Sequence, residues 1–249
     1  MALIQHGSFD NFSAAATAGA RAARAAIGAL RTFSMLREAT RDVQPVPIEF
    51  EASDTPRGLA LKSIRLTQGF EGFLQSLFNP TNEVYFVSWA WDFSDNPPVE
   101  YPGLGATPQS CIIPLKVGQG REFLGAGIVL FPARTVTAGL AVRIMLWESD
   151  QGARDFGKAM TEVANTVKTS ELTNLLSLIA MATGVTGATI TAAAAAAGEL
   201  AKAIGAILQA NSDDYVDFYE GYYPAADPWA AGDEAHRGYA SEIALTRLT

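Results

Sequence analysis

Trp147-Glu148-Ser149-Asp150 and, further along, Asn211-Ser212-Asp213-Asp214-Tyr215-Val216-Asp217 frame the part of this chain on which its architecture turns. Between the two acidic phrases the chain becomes helical in composition and increasingly apolar, with an alanine block at Ala192 to Ala197. On either side, short segments alternate apolar and polar residues as half-buried strands do. The pattern predicts a β-sandwich in which one loop carries a helical hairpin, at about 151–211. Loops at a sandwich end carry function while sheets carry stability. The bracketing acids are therefore the first candidate site.

Beyond this stretch, strands are predicted over 46–52, 59–68, 83–91, 110–117, 123–131, 139–147, 215–222 and 239–248. The clearest is Glu83 to Trp91, with Val84, Phe86, Ser88 and Ala90 on one face and Tyr85, Val87, Trp89 and Trp91 on the other. Asn-Pro-Thr-Asn, Asp-Asn-Pro-Pro and Pro-Gly-Leu-Gly separate them as turns. About eight strands without βα units argue an antiparallel sandwich. The fold expected is mainly β with helical additions.

Inside the insertion, Phe156, Met160, Val163 and Val167 mark one face of a helix ending near Lys168. A second helix begins near Ser170 and carries Leu172, Leu175, Leu176 and Ile179. Thr-Gly-Val-Thr-Gly breaks it, and a third runs from about Ala188 to Ala210. No charge falls between Leu172 and Gly198. Glycines and threonines interrupt that run, so it is read as packed helices, with later insertion into lipid as the sharper alternative.

The first 44 residues form a second unit, an Ala/Arg-rich helical arm ahead of a sandwich over 45–249. Helix formers dominate from Phe9 to Thr40. Arg21, Arg24 and Arg31 lie among Ile27, Leu30, Phe33 and Leu36, a thin apolar stripe that needs a partner. Pro45 and Pro47 end the arm.

Composition excludes several classes. A net charge of −8 argues against nucleic acid. One cysteine, Cys111, rules out an internal disulfide and any cysteine-based zinc site, and its apolar setting predicts a buried, inert thiol. His6 and His236 lie far apart in sequence and suggest no histidine metal site or triad. Asp92 and Asp95 are the one acid–base pair weighed, in ordinary loop composition. Gly118-Gln119-Gly120 and Gly125-Ala126-Gly127 precede no helix and are read as turns. The expectation is no enzyme. Met1 to Ser8 lacks a basic start with a long apolar run, so synthesis in the cytoplasm is expected, with release from the cell compatible with it.

Leu146-Trp147-Glu148-Ser149-Asp150 followed by Asp155-Phe156-Gly157 resembles the third loop of C2 domains, which reads Asp-x-Asp, a gap, then Asp and Gly. Asn211 to Val216 is similar to the close of that loop. Asn79-Pro80-Thr81-Asn82-Glu83-Val84-Tyr85 is similar to the segment after the family's first loop, and Glu242 to Leu245 to its last strand. The resemblance covers roughly residues 59 to 249. It implies an eight-stranded sandwich whose acids hold calcium against acidic phospholipid. Here those acids are Glu148 and Asp150, completed by Asp213, Asp214 or Asp217, with Asp155 a rival. Calcium takes six to eight oxygens, so several carboxylates must converge. The alternative is that these acids are solvated or cap helices.

Tyr222, Tyr223 and Trp229, with Leu175, Leu176, Ile179 and Ile190 of the insertion and the arm residues, are the candidate membrane or interface contacts. The function expected is non-enzymatic membrane interaction, pore formation included, by arm or hairpin on a rigid sandwich. The alternative is a structural subunit whose helices form interfaces. Lipid or identical subunits are the expected partners, and the working state is a homo-oligomer.

Overall fold

Alternation along Thr81–Trp91 sets the layers of the molecule. Val84, Phe86 and Ala90 enter one core, and Tyr85, Val87, Trp89 and Trp91 enter another. The computed structural model describes residues 3–7, 52–68, 81–94, 96–149, 156–180, 187–210 and 213–249, with the backbone alone at 3–7, 177–180, 187–191 and 214. The chain runs β1 (Leu3–Gly7), β2 (Arg57–Leu66), β3 (Thr81–Trp91), β4 (Val99–Tyr101), α1 (Pro108–Cys111), β5 (Ile113–Lys116), β6 (Gly120–Glu122), β7 (Ile128–Arg134) and β8 (Gly139–Glu148). Then come α2 (Phe156–Thr169), α3 (Glu171–Ala180), α4 (Gly187–Ala210), β9 (Asp214–Pro224), β10 (Gly232–Arg237) and β11 (Ser241–Leu248).

The strands make two antiparallel sheets. The first orders β1-β9-β8-β3-β4, with β5 on β3 as well; the second orders β10-β11-β2-β6, with β7 also on β2. Leu59, Leu61 and Ile64 of the second meet Phe86, Ile144 and Leu146 of the first in one core. Among the described residues the sheets hold six and five strands, where eight strands were expected in all. The extra ones escape a reading based on alternation. β4 and β6 have three residues each, and β10 reads Gly-Asp-Glu-Ala-His-Arg without an apolar face. The strand expected from Ser110 starts only at Ile113, because Pro108 opens the short helix α1.

Among the described residues the insertion is a layer of three helices, in line with the three helical segments read from the sequence. The break expected near Lys168–Ser170 lies between Thr169 and Glu171, and the Thr-Gly-Val-Thr-Gly phrase, apart from Gly187, is outside the described residues. In α2 the buried residues Phe156, Ala159, Met160, Val163, Ala164 and Val167 recur at helical spacing. Ser170 caps α3, its Oγ accepting from the Thr173 N–H at 3.3 Å. Ala193, Ala197 and Ala201 of α4 join Tyr85, Trp89 and Trp147 in the second core. Small side chains permit that approach: a Cβ on Gly205 would stand 4.0 Å from the Trp147 ring.

A buried cation crosses this joint. Arg143 of β8 donates to the Ala194 carbonyl of α4 at 3.1 Å and pairs with Glu220 of β9 at 2.8 Å. Cys111 is buried as expected, at the end of α1. No described helix is long and apolar enough to cross a membrane.

The helix expected over Phe9 to Thr40, and with it Arg21, Arg24, Ile27, Leu30 and Arg31, lies outside the described residues, as does most of the strand expected at Val46 to Ala52. Within the first 44 residues, Leu3–Gly7 is a strand paired with β9.

Candidate functional site

One end of the sandwich gathers the chain segments that the two acidic phrases bracket. Thr67 N–H donates to the Ala240 carbonyl at 2.8 Å, Gly118 N–H to Leu66 at 2.9 Å, and Ser149 N–H to Glu83 at 2.8 Å. The ends of β2, β5 and β8 therefore stand beside the starts of β3, β9 and β11. Glu148 pairs in register with Asp214, so the two phrases do meet.

Their carboxylates do not point one way. Glu148 and Asp213 are both buried. Tyr85 donates to Asp213 Oδ2 at 2.5 Å, and burial, then the Asp213 charge, push the Tyr85 phenol far up. Asp217 sits on the other face. Trp147 pairs with Tyr215 and Leu146 with Asp217, so a bulge leaves Val216 without a register partner and inverts the alternation. Asp217 thus enters the space between the sheets. There Oδ2 accepts from Ala240 N–H at 3.1 Å, Ser241 N–H at 3.1 Å and Ser241 Oγ at 2.9 Å, while Oδ1 accepts from Phe218 N–H at 3.0 Å.

Calcium needs several free oxygens aimed at one point. Asp217 commits its own to four donors, and Asp213 is held by a phenol. Among the described residues no group of three His, Cys, Asp or Glu side chains could hold an ion. The described acids do not fit the calcium cage that the C2 resemblance implies. Asp150, Asp155 and the Asp214 side chain lie outside the described residues.

The described aromatic and aliphatic candidates are buried or half-buried in the domain. Leu176 is buried and Leu175 packs against the same helix-side core, while the side chains of Ile179 and Ile190 are outside the described set. Tyr222 donates to the Ala138 carbonyl at 3.2 Å and meets Phe93 edge-on. Trp229 donates to the Leu248 carbonyl at 2.8 Å, and the guanidinium groups of Arg57 and Arg247 stand against its ring. Tyr223 is buried and donates to Glu234 Oε1 at 2.6 Å. Burial raises the Glu234 carboxyl, but the nearby His236, the bonds from Arg247 and Tyr223 and the Arg247 charge outweigh it and bring it down to about 2. Asp92 accepts from Ser94 and from Arg134 Nε at 3.0 Å, a structural pairing, and Asp95 is outside the described residues.

The loop end also carries a patch that sequence reasoning missed. Val117, at the β5–β6 turn, is 50% exposed, and Tyr239, at the β10–β11 turn, is 60% exposed. They flank the end of β2, where Gln68 Nε2 donates to the Tyr239 carbonyl and Arg65 Nε to the Gly118 carbonyl. Arg65 and Arg237 reach one carboxylate, Glu242, at 3.5 Å and 3.6 Å, and Lys116 is exposed beside Val117. Arg65 and Arg237 share Glu242, and Lys116 stands nearby, so these two turns hold more cations than acids beside the acidic phrases of the same end. In the sequence both tips read as ordinary strand residues, since alternation does not show where a strand stops.

No protein-family model matches the chain, and no curated protein matches its sequence. Among solved structures, human GIVD cytosolic phospholipase A2 in complex with methyl gamma-linolenyl fluorophosphonate inhibitor and terbium chloride aligns with 80% of this chain and 17% of its own, at 8% identity and TM-score 0.31. The chain thus spans less than a fifth of that protein's length, and a TM-score of 0.31 does not define a shared fold.

Proposed function

We propose that this protein is a non-enzymatic module with a C2-like sandwich that docks on anionic membrane surfaces through its loop end. One observation carries the reading: Val117 and Tyr239 project from adjacent turns within a rim of Arg65, Lys116 and Arg237. An aliphatic tip and a tyrosine suit the headgroup boundary, and cations beside them add attraction to acidic lipid. These cations stand beside the acidic phrases of the same end, on a chain that carries −8 in all.

The helical layer acts as core in this reading. It covers Trp89, Trp91, Trp147 and Tyr85, and its departure would bare that whole aromatic face. Docking by exposed turns needs no such rearrangement. It is preferred here over entry of the helices into lipid to form a pore.

Sedimentation with phosphatidylcholine vesicles, with and without phosphatidylserine, tests the proposal. The protein should pellet with phosphatidylserine vesicles and stay in solution with neutral ones. Val117→Ser with Tyr239→Ser should weaken binding about tenfold or more, in line with the apolar area lost. Equal recovery in the supernatant with both vesicle types would end the reading. Calcium is varied in parallel, since a requirement for it would bring Asp150 and Asp214 back into the site.

A further inference from the structure

We propose that the sandwich meets lipid tilted onto one flank, where the outer edges of both sheets lie, with Leu104 and Leu124 entering the headgroup boundary beside Val117. The proposal rests on the reading that this protein docks on anionic lipid, and it assigns the surface that docks.

Strand pairing makes this flank. β8 occupies one side of β3 from Val84 to Trp91, so β4 and β5 share the other side. β11 likewise occupies one side of β2, and β6 and β7 share the other. β4 stands against β7 and β5 against β6, so the two edges run along the same flank. Each edge is interrupted where the chain leaves its sheet, at 102–112 and at 123–127.

Three turns on the flank present an aliphatic side chain. Ala106 N–H donates to the Gly103 carbonyl at 3.3 Å, and Gln119 N–H to the Lys116 carbonyl at 2.9 Å. Leu104 and Val117 take the second position of these turns. Gly105 (φ 83°) and Gly118 (φ 80°) take the third, with the positive φ of a type II turn. Gly127 N–H closes the remaining turn on the Leu124 carbonyl at 3.1 Å. Lys62 Nζ braces it by donating to the carbonyls on either side of Leu124, Phe123 at 3.3 Å and Gly125 at 2.8 Å. Leu124 is thereby held out at 96% exposure, and Leu104 at 58%.

The form of this surface favours lipid. Of the five large apolar residues exposed among the described residues, Leu104, Val117, Leu124 and Val129 fall in this stretch, so apolar exposure is concentrated on it. The tips stand apart from one another and from the body: a Cβ at Gly103, Gly105, Gly118 or Gly125 would meet nothing within 4 Å. A protein partner is held by a contiguous, closely packed patch. Separate projecting side chains suit a fluid boundary that each enters alone.

The charges agree. Between Glu100 and Arg134 the chain carries Lys116, Arg121 and a single acid, Glu122, which Lys62 pairs at 3.3 Å. The acidic phrases lie on β8 and β9, across β3 from this flank. Tilting the flank toward an anionic surface brings Lys116 and Arg121 near it and draws those phrases away, which end-on docking does not.

Paired variants separate the two surfaces. Leu104→Ser with Leu124→Ser changes exposed positions, and an unchanged melting temperature checks that the fold is kept. Sedimentation with phosphatidylcholine–phosphatidylserine vesicles is run on the parent, on this pair and on Val117→Ser with Tyr239→Ser, beside light scattering in buffer. The flank pair should bind about tenfold more weakly than the parent. An environment-sensitive nitrobenzoxadiazole label at Leu124→Cys should shift to the blue on these vesicles. The same label at Ala235→Cys, exposed on the far edge strand β10, should not, and buried Cys111 stays unlabelled in the folded protein. A flank pair that binds like the parent, while the Val117 and Tyr239 pair does not, overturns the flank and leaves end-on docking standing. An unshifted label at position 124 on bound protein does the same. Loss of binding in the flank pair alone supports the flank and overturns end-on docking. A parent that ignores phosphatidylserine overturns both. A parent dimer that the flank pair makes monomeric, with vesicle binding unchanged, gives this surface to a second copy of the chain and overturns the proposal.

Discussion

Asp217 of β9 and Ser241 of β11 tie the two sheets together across the core. The aspartate accepts both the backbone N–H and the hydroxyl of Ser241, at 3.1 Å and 2.9 Å, and neither residue has measurable solvent exposure. Tyr219 adds a phenol at 2.8 Å from the same hydroxyl. Gly238 makes the room, since a Cβ there would come within 2.0 Å of Asp217 Oδ2. Burial still holds the Asp217 carboxyl above the usual aspartate range, with the bonds from Ser241, Ala240, Phe218 and Tyr239 opposing it.

Asp217→Ala should cost about 3 kcal/mol, because it strands several buried donors at once. Gly238→Ala should cost a comparable amount in the parent and much less in Asp217→Ala, where the clash is gone. Urea unfolding of the two single variants and the double variant measures the coupling. Additive losses would show that glycine and aspartate do not share this space.

Acid stability should depend on Glu234. Its carboxyl is held at about 2 in the folded protein against an ordinary 4.5, so the folded state binds fewer protons than the unfolded chain between those values. That stability is complete above pH 4.5 and is lost as pH falls toward 2. The amount is about 1–2 kcal/mol once partial exposure is discounted. Melting curves of the parent and Glu234→Gln should differ most above pH 4.5 and converge toward pH 2. A constant gap across that window would remove Glu234 from the acid limb.

Packing of α4 on the first sheet sets a third expectation. Ala197 is fully buried in the helix-side core, and Ala203 is exposed on the same helix. Ala197→Leu should overpack the joint and cost about 1–3 kcal/mol or more, while Ala203→Leu should change stability by less than about 0.5 kcal/mol. Thermal melts of the pair report this directly. Equal effects would mean that the helical layer is not pressed against the aromatic face.

Docking on lipid should be salt-sensitive. Each cation near an anionic surface contributes about 1 kcal/mol, so Lys116→Gln should weaken binding to phosphatidylserine vesicles about fivefold. Raising the salt should weaken the parent more steeply than the variant, because screening acts on the charges that remain. Vesicle titrations at two salt concentrations give both slopes. Parallel slopes would take Lys116 out of the contact.

Much of the architecture was legible from local pattern. The two faces of β3, the long strand ending at Trp147-Glu148, the helix break near Ser170 and the helical stretch up to Ala210 all follow from periodicity and capping. Strands such as β10 were not, because its half-buried residues include Glu234, bonded to Tyr223 and Arg247, and His236, where an apolar stripe would be expected. The acidic phrases were legible as neighbours, and Glu148 does lie opposite Asp214.

Local pattern was enough to mark the main strands and helices, since side-chain alternation and helical spacing are properties of neighbouring residues. What the acids do came from contacts between distant strands. Asp213 and Asp217 would share a face in an unbroken extended chain, yet the bulge at Val216 turns Asp217 inward to clamp the sheets. Long-range packing also set which turns project as Val117 and Tyr239 do, and laid the helices over Trp89 and Trp147. A register shift of one residue reverses every side chain beyond it, and only the pairing of distant strands fixes where that shift falls.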